Sequence, residues 1–273
     1  MGGNGFVHHQ SRRHMEQLIR RAQAAGSLLC VGLDPVGTSE TEVAARLHGV
    51  VQQTAEFAAA FKPNLAFFLC RPDGVALLQR LREWIPAEVP MILDGKFGDI
   101  ANTADRYAAF AYDLIGADGV TVNPYMGDDA IVPFARPNKA VFVLAKTSNQ
   151  PAHSWQDEEL VRGGTVSDFS ADVVQTLSHD YPGLGLVVGA THAEALAHLR
   201  RRCPELWFLV PGVGAQGGDL AATVHAGCRP SDGLGLLINT SRSIWQAADP
   251  GAAARDLTQQ INALRTKRVS DAV

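Results

Sequence analysis

The stretch that decides the fold is residues 89–123, which read VPMILDGKFGDIANTADRYAAFAYDLIGADGVTVN. It begins with a short apolar run (89–93), continues through an amphipathic segment (102–116) and ends on a second apolar run (119–123). Short apolar runs without polar alternation are typical of parallel strands covered on both faces. The stretch therefore predicts a strand, a helix and a second strand, with the charged residues after the first strand left to explain.

The same alternation recurs along the chain. Apolar runs lie at 27–33, 61–68, 89–93, 119–123, 140–145, 185–190, 206–210 and 233–239. Helical candidates between them include 41–60, 74–84, 102–116 and 192–202. Eight strand–helix repeats in a chain of this length predict a (β/α)8 TIM barrel of the α/β class. A doubly wound open sheet is the alternative, but no GxGxxG motif follows the first run, as a dinucleotide-binding sheet would require.

The domain organisation is predicted to be simple. We expect one barrel domain over residues 1–273, with a loose N-terminal leader at about 1–10 and a loose C-terminal tail at about 266–273. No linker or low-complexity stretch divides the chain. The longest irregular stretch, 147–165, is predicted to be a loop after the fifth strand.

Composition excludes several classes of function. The 273 residues carry a formal net charge of −4 and are 46% hydrophobic, so neither nucleic acid nor an anionic membrane is an expected partner. No apolar run approaches the roughly 18 residues that span a bilayer. The four cysteines, Cys30, Cys70, Cys203 and Cys228, form no CxxC pair or zinc spacing. We therefore expect a cytoplasmic protein with no metal site.

In a barrel of this kind the chemistry lies at the carboxyl ends of the strands. The polar residues that end or follow the apolar runs are Asp34, Asp94, Lys96, Asn123, Lys146, Thr147 and Ser148, and Lys62 lies within the second run. The seventh run is followed by PGVGAQGG (211–218) and the eighth by NTSR (239–242). This set predicts a site for an anionic ligand at one rim of the barrel.

The charged residues after the third run have both functional and structural interpretations. Asp94 and Lys96 are two apart on a strand, so their side chains should share a face, where they are either site residues or a structural ion pair. Asp99 stands where the next helix should begin and could be its N-cap. Lys146 could form a Schiff base, although a solvated lysine at the rim is favoured because no feature indicates a lowered pKa. Arg242 is either a surface arginine or a phosphate ligand.

A family resemblance joins these residues. Asp94, Lys96, Asp99, Ile100 and Thr103 spell DxKxxDIxxT, which resembles the signature of orotidine 5'-phosphate decarboxylases. Further motifs match in the same order: GLDP (32–35), FKPN (61–64), TVNPYMG (121–127), TSN (147–149), PGVGAQGG (211–218) and SRSI (241–244). The resemblance covers residues 27 to 246 and is greatest to the longer bacterial branch, type 2. Phe97 departs from it, because that branch usually has arginine after the lysine.

The resemblance implies roles for particular residues. A charged network would consist of Lys62, Asp94, Lys96 and Asp99, with Lys96 as the proton donor to C6 of the pyrimidine. Substrate contacts would come from Asp34, Thr103, Ser148, Gln216 and Arg242. Asp34 and Lys62 would bind ribose hydroxyls, and Gln216 and Arg242 the 5'-phosphate. Ser148 would contact the pyrimidine edge, with Thr147 as the neighbouring alternative.

The implied activity is decarboxylation of orotidine 5'-phosphate to uridine 5'-phosphate by a carboxy-lyase without a cofactor. Asp99 and Thr103 would come from the second subunit of a homodimer with shared active sites. One alternative is a Mg²⁺-dependent sugar-phosphate lyase or synthase of the same superfamily, which shares DxKxxD. Another is an inactive barrel that binds a phosphate ligand, although every member of the charged network is present.

Overall fold

The eight predicted strands form in the predicted order. A computed structural model describes residues 15–37, 39–214 and 217–270. Its strands are β1 (Leu29–Leu33), β2 (Ala60–Pro63), β3 (Ile92–Phe97), β4 (Gly119–Val122), β5 (Ala140–Lys146), β6 (Leu184–Val188), β7 (Trp207–Pro211) and β8 (Leu236–Thr240). Each lies within or overlaps one of the apolar runs, so the hydrophobic pattern located all eight.

The strands form one parallel sheet that closes on itself. Its order is β2-β1-β8-β7-β6-β5-β4-β3. The two end strands meet through parallel bridges between Phe61 and Met91 and between Asn64 and Asp94. This is the closed (β/α)8 barrel that the sequence predicts, and the doubly wound open sheet is excluded.

Helices cover the outside of the barrel. They are α1 (Glu16–Ala24), α2 (Glu40–Thr54), α3 (Leu65–Leu69), α4 (Gly74–Trp84), α5 (Ala101–Ala109), α6 (His153–Gln156), α7 (Val166–Leu177), α8 (Ala193–Arg202), α9 (Leu220–Gly227), α10 (Arg242–Trp245) and α11 (Pro250–Ser270). In the described part of the chain, no helix is both long and apolar enough to cross a membrane.

Local sequence explains where helices begin and which face they bury. Ser39 caps α2 by accepting a hydrogen bond from the Glu42 amide, and α2 buries Val43 and Leu47 against the barrel. Thr165 and Asp168 form a reciprocal capping box at α7. The strands have helices on one side and the barrel interior on the other, which is why β1, β6 and β8 are buried along their whole length.

Several predicted boundaries need correction. The second apolar run contains only a four-residue strand, because Asn64 caps α3 and turns the chain into a helix. The helix predicted at 41–60 ends at Thr54, and the one at 102–116 continues beyond α5 as a π-helical turn, Phe110–Leu114.

The stretch after the fifth strand and the chain ends also differ from expectation. Residues 147–165 include a 3₁₀ turn at Gln150–Ala152 and α6, so they are more ordered than a plain loop. The prediction of a loose tail from residue 266 is wrong as far as Ser270, because α11 continues to that residue. The leader predicted at 1–10 lies outside the described residues.

Candidate active site

A cavity of about 610 Å³ opens at the carboxyl ends of the strands. The predicted site residues that line it are Asp34, Lys62, Asp94, Lys96, Ser148 and Arg242. Asp99 and Thr103 are not among the residues that line it, and Gln216 lies outside the described residues. The barrel therefore brings together six predicted residues that are spread over more than 200 positions of the sequence.

Asp94 is the centre of a charged network at the floor of this cavity. Its Oδ2 accepts a hydrogen bond from Lys62 Nζ at 2.6 Å, and its Oδ1 accepts one from Lys96 Nζ at 2.7 Å. Asp94 and Lys62 are buried, whereas the Lys96 side chain is 48% exposed and faces the cavity. One carboxylate therefore holds two ammonium groups, and the more exposed one is available to a ligand.

The charges of this network support one another. Burial favours the neutral acid of Asp94, but the ammonium groups of Lys62 and Lys96 outweigh burial and hold the pKa of this carboxyl far below its usual range. Burial likewise opposes the charge on Lys62, but the carboxylates of Asp94 and Asp34 raise the pKa of Lys62 above its ordinary value. Asp94 and Lys62 are thus both ionised at neutral pH without a ligand.

The backbone around Lys96 departs from a regular strand. The pairing of β3 with β4 shifts between Leu93 and Phe97, and Lys96 has φ of +45°. A positive φ is unfavourable for a residue with a side chain, and such strain is concentrated at functional sites. The side chains of Asp94 and Lys96 do share the cavity face as predicted, but an irregularity of the strand accompanies that placement.

Thr121 is a site residue that the sequence did not single out. This β4 residue is buried, and its hydroxyl donates to Asp94 Oδ1 at 2.7 Å while accepting from the Lys96 amide at 2.9 Å. It therefore fixes the carboxylate and the strained backbone together. The available signal was a lone polar side chain inside the apolar run at 119–123.

Phe97, the residue that departs from the family pattern, has a packing role. It is buried against the outside of β3, stacked on Phe134 at 5.4 Å between ring centroids and tilted on Tyr107 at 5.5 Å. A Cβ on Gly95 would lie 2.5 Å from the Phe97 ring, so the absence of a side chain there makes room for the ring. Phe97 thus braces β3 against its covering helix on the side away from the cavity.

Asp99 and Thr103 stand beside the cavity rather than in it. Asp99 does not cap α5, because the cap position is Ile100. Among the described residues, Asp99 Oδ1 accepts only from the adjacent Ile100 amide, at 2.8 Å. The N-cap interpretation is therefore wrong. Thr103 is exposed. Neither the Asp99 nor the Thr103 side chain contributes to the cavity of its own barrel.

Ser148 is held at the cavity wall by its neighbours. The amide and hydroxyl of Thr147 are hydrogen-bonded to the Gln156 side chain, at 2.8 and 2.9 Å. A Cβ on Gly189 would lie 2.7 Å from Ser148 Cα, so only glycine allows this close approach. Because the Thr147 hydroxyl is already bonded within the chain, the Ser148 hydroxyl is the better placed of the two to meet a ligand.

Lys146 is not the solvated lysine that was predicted. Its side chain is 2% exposed, and Nζ lies 2.5 Å from Asp157 Oδ1, which is 52% exposed. Lys146 is absent from the residues that line the cavity. The pair therefore ties the end of β5 to the segment that follows it and leaves Ser148 and Asn149 in the loop between.

This pair gives a prediction for stability. Asp157→Ala leaves the buried Lys146 ammonium without that partner and should lower the free energy of unfolding by about 1–3 kcal/mol, less than for a fully buried pair because Asp157 is half exposed. Urea unfolding of the two proteins measures the difference. Adding Lys146→Met should recover most of the loss, since the unpaired ammonium at this position is then gone.

The matched control is Asp172→Ala, which removes an ion pair to Arg202 in which both side chains are more than a third exposed. It should cost less than about 1 kcal/mol. Equal losses in Asp157→Ala and Asp172→Ala would contradict the assigned importance of the buried lysine.

Most of the chain is similar to proteins of known family. The model of the "Orotidine 5'-phosphate decarboxylase / HUMPS family" matches residues 27–257. An orotidine 5'-phosphate decarboxylase of Roseiflexus castenholzii is 40% identical over 266 residues, 91% of this chain and 97% of that protein. Its counterpart in Ralstonia nicotianae is 39% identical over 272 residues, 93% and 99% of the two chains. The structure of Leishmania donovani OMP decarboxylase aligns with a TM-score of 0.87 at 44% identity, covering 93% and 99%.

Proposed function

The chain belongs to the orotidine 5'-phosphate decarboxylase / HUMPS family, and on that premise we propose that Lys96 is the proton donor in its reaction. The activity is that of a carboxy-lyase of pyrimidine biosynthesis, converting orotidine 5'-phosphate to uridine 5'-phosphate. The observation that carries the assignment of Lys96 is the network in which Asp94 holds Lys62 and Lys96 on the cavity floor. The Mg²⁺-dependent synthase and the inactive binding barrel are not favoured.

The chemistry requires a cation where negative charge develops. Breaking the bond between C6 and the carboxyl group releases CO₂ and leaves an electron pair on C6. A preorganised ammonium stabilises that electron pair electrostatically. Lys96 then donates a proton to C6, which gives the product and a neutral amine that solvent reprotonates. Lys96 is suited to this because its Nζ is oriented by Asp94 and remains accessible from the cavity.

Asp94 has two roles in this proposal. Its carboxylate holds the Lys96 side chain in place, while the Thr121 hydroxyl holds the carboxylate. Its charge would also lie near the departing carboxylate, a repulsion that is relieved as CO₂ leaves. We give more weight to the stabilisation by Lys96, because it acts on charge that appears in the transition state.

We assign the substrate contacts by their place around the cavity. Asp34 and Lys62 bind the ribose hydroxyls, Ser148 the pyrimidine edge and Arg242 the 5'-phosphate. Gln216 lies outside the described residues, and its contact with the 5'-phosphate is proposed from the family resemblance alone. Arg242 follows β8, where barrels of this class bind phosphate, and a guanidinium makes two parallel bonds to phosphate oxygens. Phosphate binding far from the reacting bond provides energy for ordering the charged network.

A homodimer with shared active sites is part of the proposal. Asp99 and Thr103 lie outside the cavity of their own barrel. Ile100, Thr103 and Tyr107 follow one another at helical spacing, and Ile100 and Tyr107 are 51% and 42% exposed. An exposed apolar side beside two polar residues of the signature is suited to a second copy, whose site Asp99 and Thr103 would complete.

We also propose a cytoplasmic location. No disulfide joins any of the four cysteines, as is usual in a reducing compartment. Burial raises the pKa of the Cys30 thiol, which lies next to the charged network, to about 12, so this thiol stays neutral.

The activity itself is tested with the purified protein and orotidine 5'-phosphate, by the absorbance change as the substrate is consumed. We expect turnover, and we expect the same rate after incubation with EDTA, because Lys96 supplies the cation. A rate that falls with EDTA and returns with Mg²⁺ would favour the synthase class instead. Absence of turnover together with tight nucleotide binding would favour the inactive barrel.

A further inference from the structure

Asn239 is a cavity residue to which nothing above assigns a role. It lies on β8, lines the cavity and is only 8% exposed. Its Oδ1 is buried and has no hydrogen-bond partner among the described residues. Buried polar groups are nearly always paired, since leaving one unpaired destabilises the folded protein. A carboxamide kept unpaired inside a ligand cavity is therefore a candidate for pairing with the ligand.

Asn239 is a polar residue next to an apolar part of the cavity wall. On the three preceding strands the cavity is lined by apolar side chains, Leu144, Val187 and Leu209. In the sheet, Asn239 is in register with Cys30 of β1, so the two side chains point to the same side. The Cys30 thiol is close enough to Lys62 and Asp94 for their charges to act on it. Asn239 thus stands between the apolar part of the cavity wall and the charged network.

The depth of Asn239 in the cavity indicates which part of a bound nucleotide its side chain contacts. Asn239 precedes Arg242 by three residues, so it lies up to about 10 Å deeper along the strand direction. With the phosphate held at the rim by Arg242, the groups that reach Asn239 belong to the nucleoside. A carboxamide offers both an acceptor and donors, which match the carbonyl and N–H groups of a pyrimidine or a ribose hydroxyl.

We infer that the Asn239 carboxamide hydrogen-bonds the nucleoside part of the bound nucleotide and contributes to its recognition. The inference rests on the proposed function, because it takes the phosphate to lie at Arg242. It adds a specificity residue that binds no phosphate and transfers no proton. Discrimination is strong at such positions, because a ligand without the matching group leaves the buried carboxamide unpaired.

The test compares two probes on the full-length protein. For Asn239→Leu, which keeps the approximate volume, we expect the Kd of uridine 5'-phosphate to rise roughly ten- to a hundredfold. The Kd of inorganic phosphate should change less than about twofold, because the rim site is intact. Thr258→Val is the matched control. Thr258 is buried on α11, away from the cavity, and its hydroxyl has no partner in the described part of the chain, so both Kd values should stay unchanged.

Thermal unfolding without ligand separates recognition from a structural role. Replacing an unpaired buried carboxamide by an apolar side chain should leave Tm unchanged or raise it, whereas a structural role predicts a lower Tm. Asn239→Ala serves as a second variant should Asn239→Leu fail to fold. An unchanged Kd for uridine 5'-phosphate, or equal weakening of both probes, would overturn the inference.

Experiments on the wild-type protein show whether the role of Asn239 alone is wrong or the proposed function as well. If it turns over orotidine 5'-phosphate while Asn239→Leu binds uridine 5'-phosphate as tightly as wild type, the role of Asn239 alone is wrong. If the wild-type protein neither binds this nucleotide nor turns over the substrate, the proposed function is wrong and the role of Asn239 falls with it.

Discussion

Replacing Lys96 by alanine is expected to lower kcat for orotidine 5'-phosphate by on the order of 10⁴-fold or more, because it removes both the preorganised cation and the proton donor. The fold should be retained, since the Lys96 side chain is half exposed and its backbone amide still bonds to Thr121. The measurements are steady-state turnover by absorbance and thermal unfolding of the same preparation. Binding of uridine 5'-phosphate should persist, because the phosphate contacts are separate.

Lys139→Ala is the matched control for this experiment. Lys139 precedes β5 at the amino end of the barrel, where its Nζ donates to the Ala117 carbonyl at 2.7 Å. Its removal should leave kcat within about threefold of wild type, as expected for a change remote from the site. A Lys96→Ala protein with normal turnover would remove Lys96 from its assigned role, whatever the control shows.

Mixing two inactive variants is expected to restore activity. Lys96→Ala and Asp99→Ala should each be inactive alone, because each dimer then lacks one member of the network at both sites. In a hybrid dimer one site receives wild-type Lys96 from one subunit and wild-type Asp99 from the other. Random exchange of equal amounts should give about one quarter of the wild-type activity, from half of the dimers with one working site each.

The exchange itself must be followed, for example by native mass spectrometry of dimers that carry different tags. Lys96→Ala mixed with a Lys96→Ala, Asp99→Ala double variant is the control and should remain inactive, because no subunit carries Lys96. If hybrid dimers are present and no activity returns, the shared-site model is wrong. Activity of Asp99→Ala alone near the wild-type level would show that Asp99 is not a member of the network.

The site shows where prediction from sequence succeeds and where it fails. The family resemblance placed Lys62, Asp94 and Lys96 in one network. The position of Asp94 and Lys96 after an apolar run agreed with it, because the carboxyl ends of the strands converge in a parallel barrel. Thr121 was missed because it lies within a run whose pattern shows only burial, although it is bonded to Asp94, 27 residues away. Phe97 had no interpretation until its partner Phe134, distant in the sequence, lay beside it.

The predictions for Lys146 and Asp99 were wrong because each depended on a feature of the folded chain. Lys146 was expected in solvent because a charged residue at the end of a strand is usually solvated, but Asp157 lies over it and makes its burial tolerable. Asp99 was a plausible cap by its position alone, yet the local backbone makes Ile100 the cap residue. The burial of Lys146 depends on its partner Asp157, and the cap of α5 depends on the backbone angles at Ile100. The local sequence pattern shows neither feature.

The sequence by itself determined the fold class, the order of the eight strands and the rim that carries the polar residues. The reason is that strands buried on both faces are continuous apolar runs, and these runs recur along the chain. Only the tertiary structure decided the strained backbone of Lys96, the bridging hydroxyl of Thr121, the burial of Lys146 and the unpaired carboxamide of Asn239. These depend on contacts between strands far apart in the chain. An apolar run shows that a strand is buried, but not which atoms its side chains contact in the folded protein.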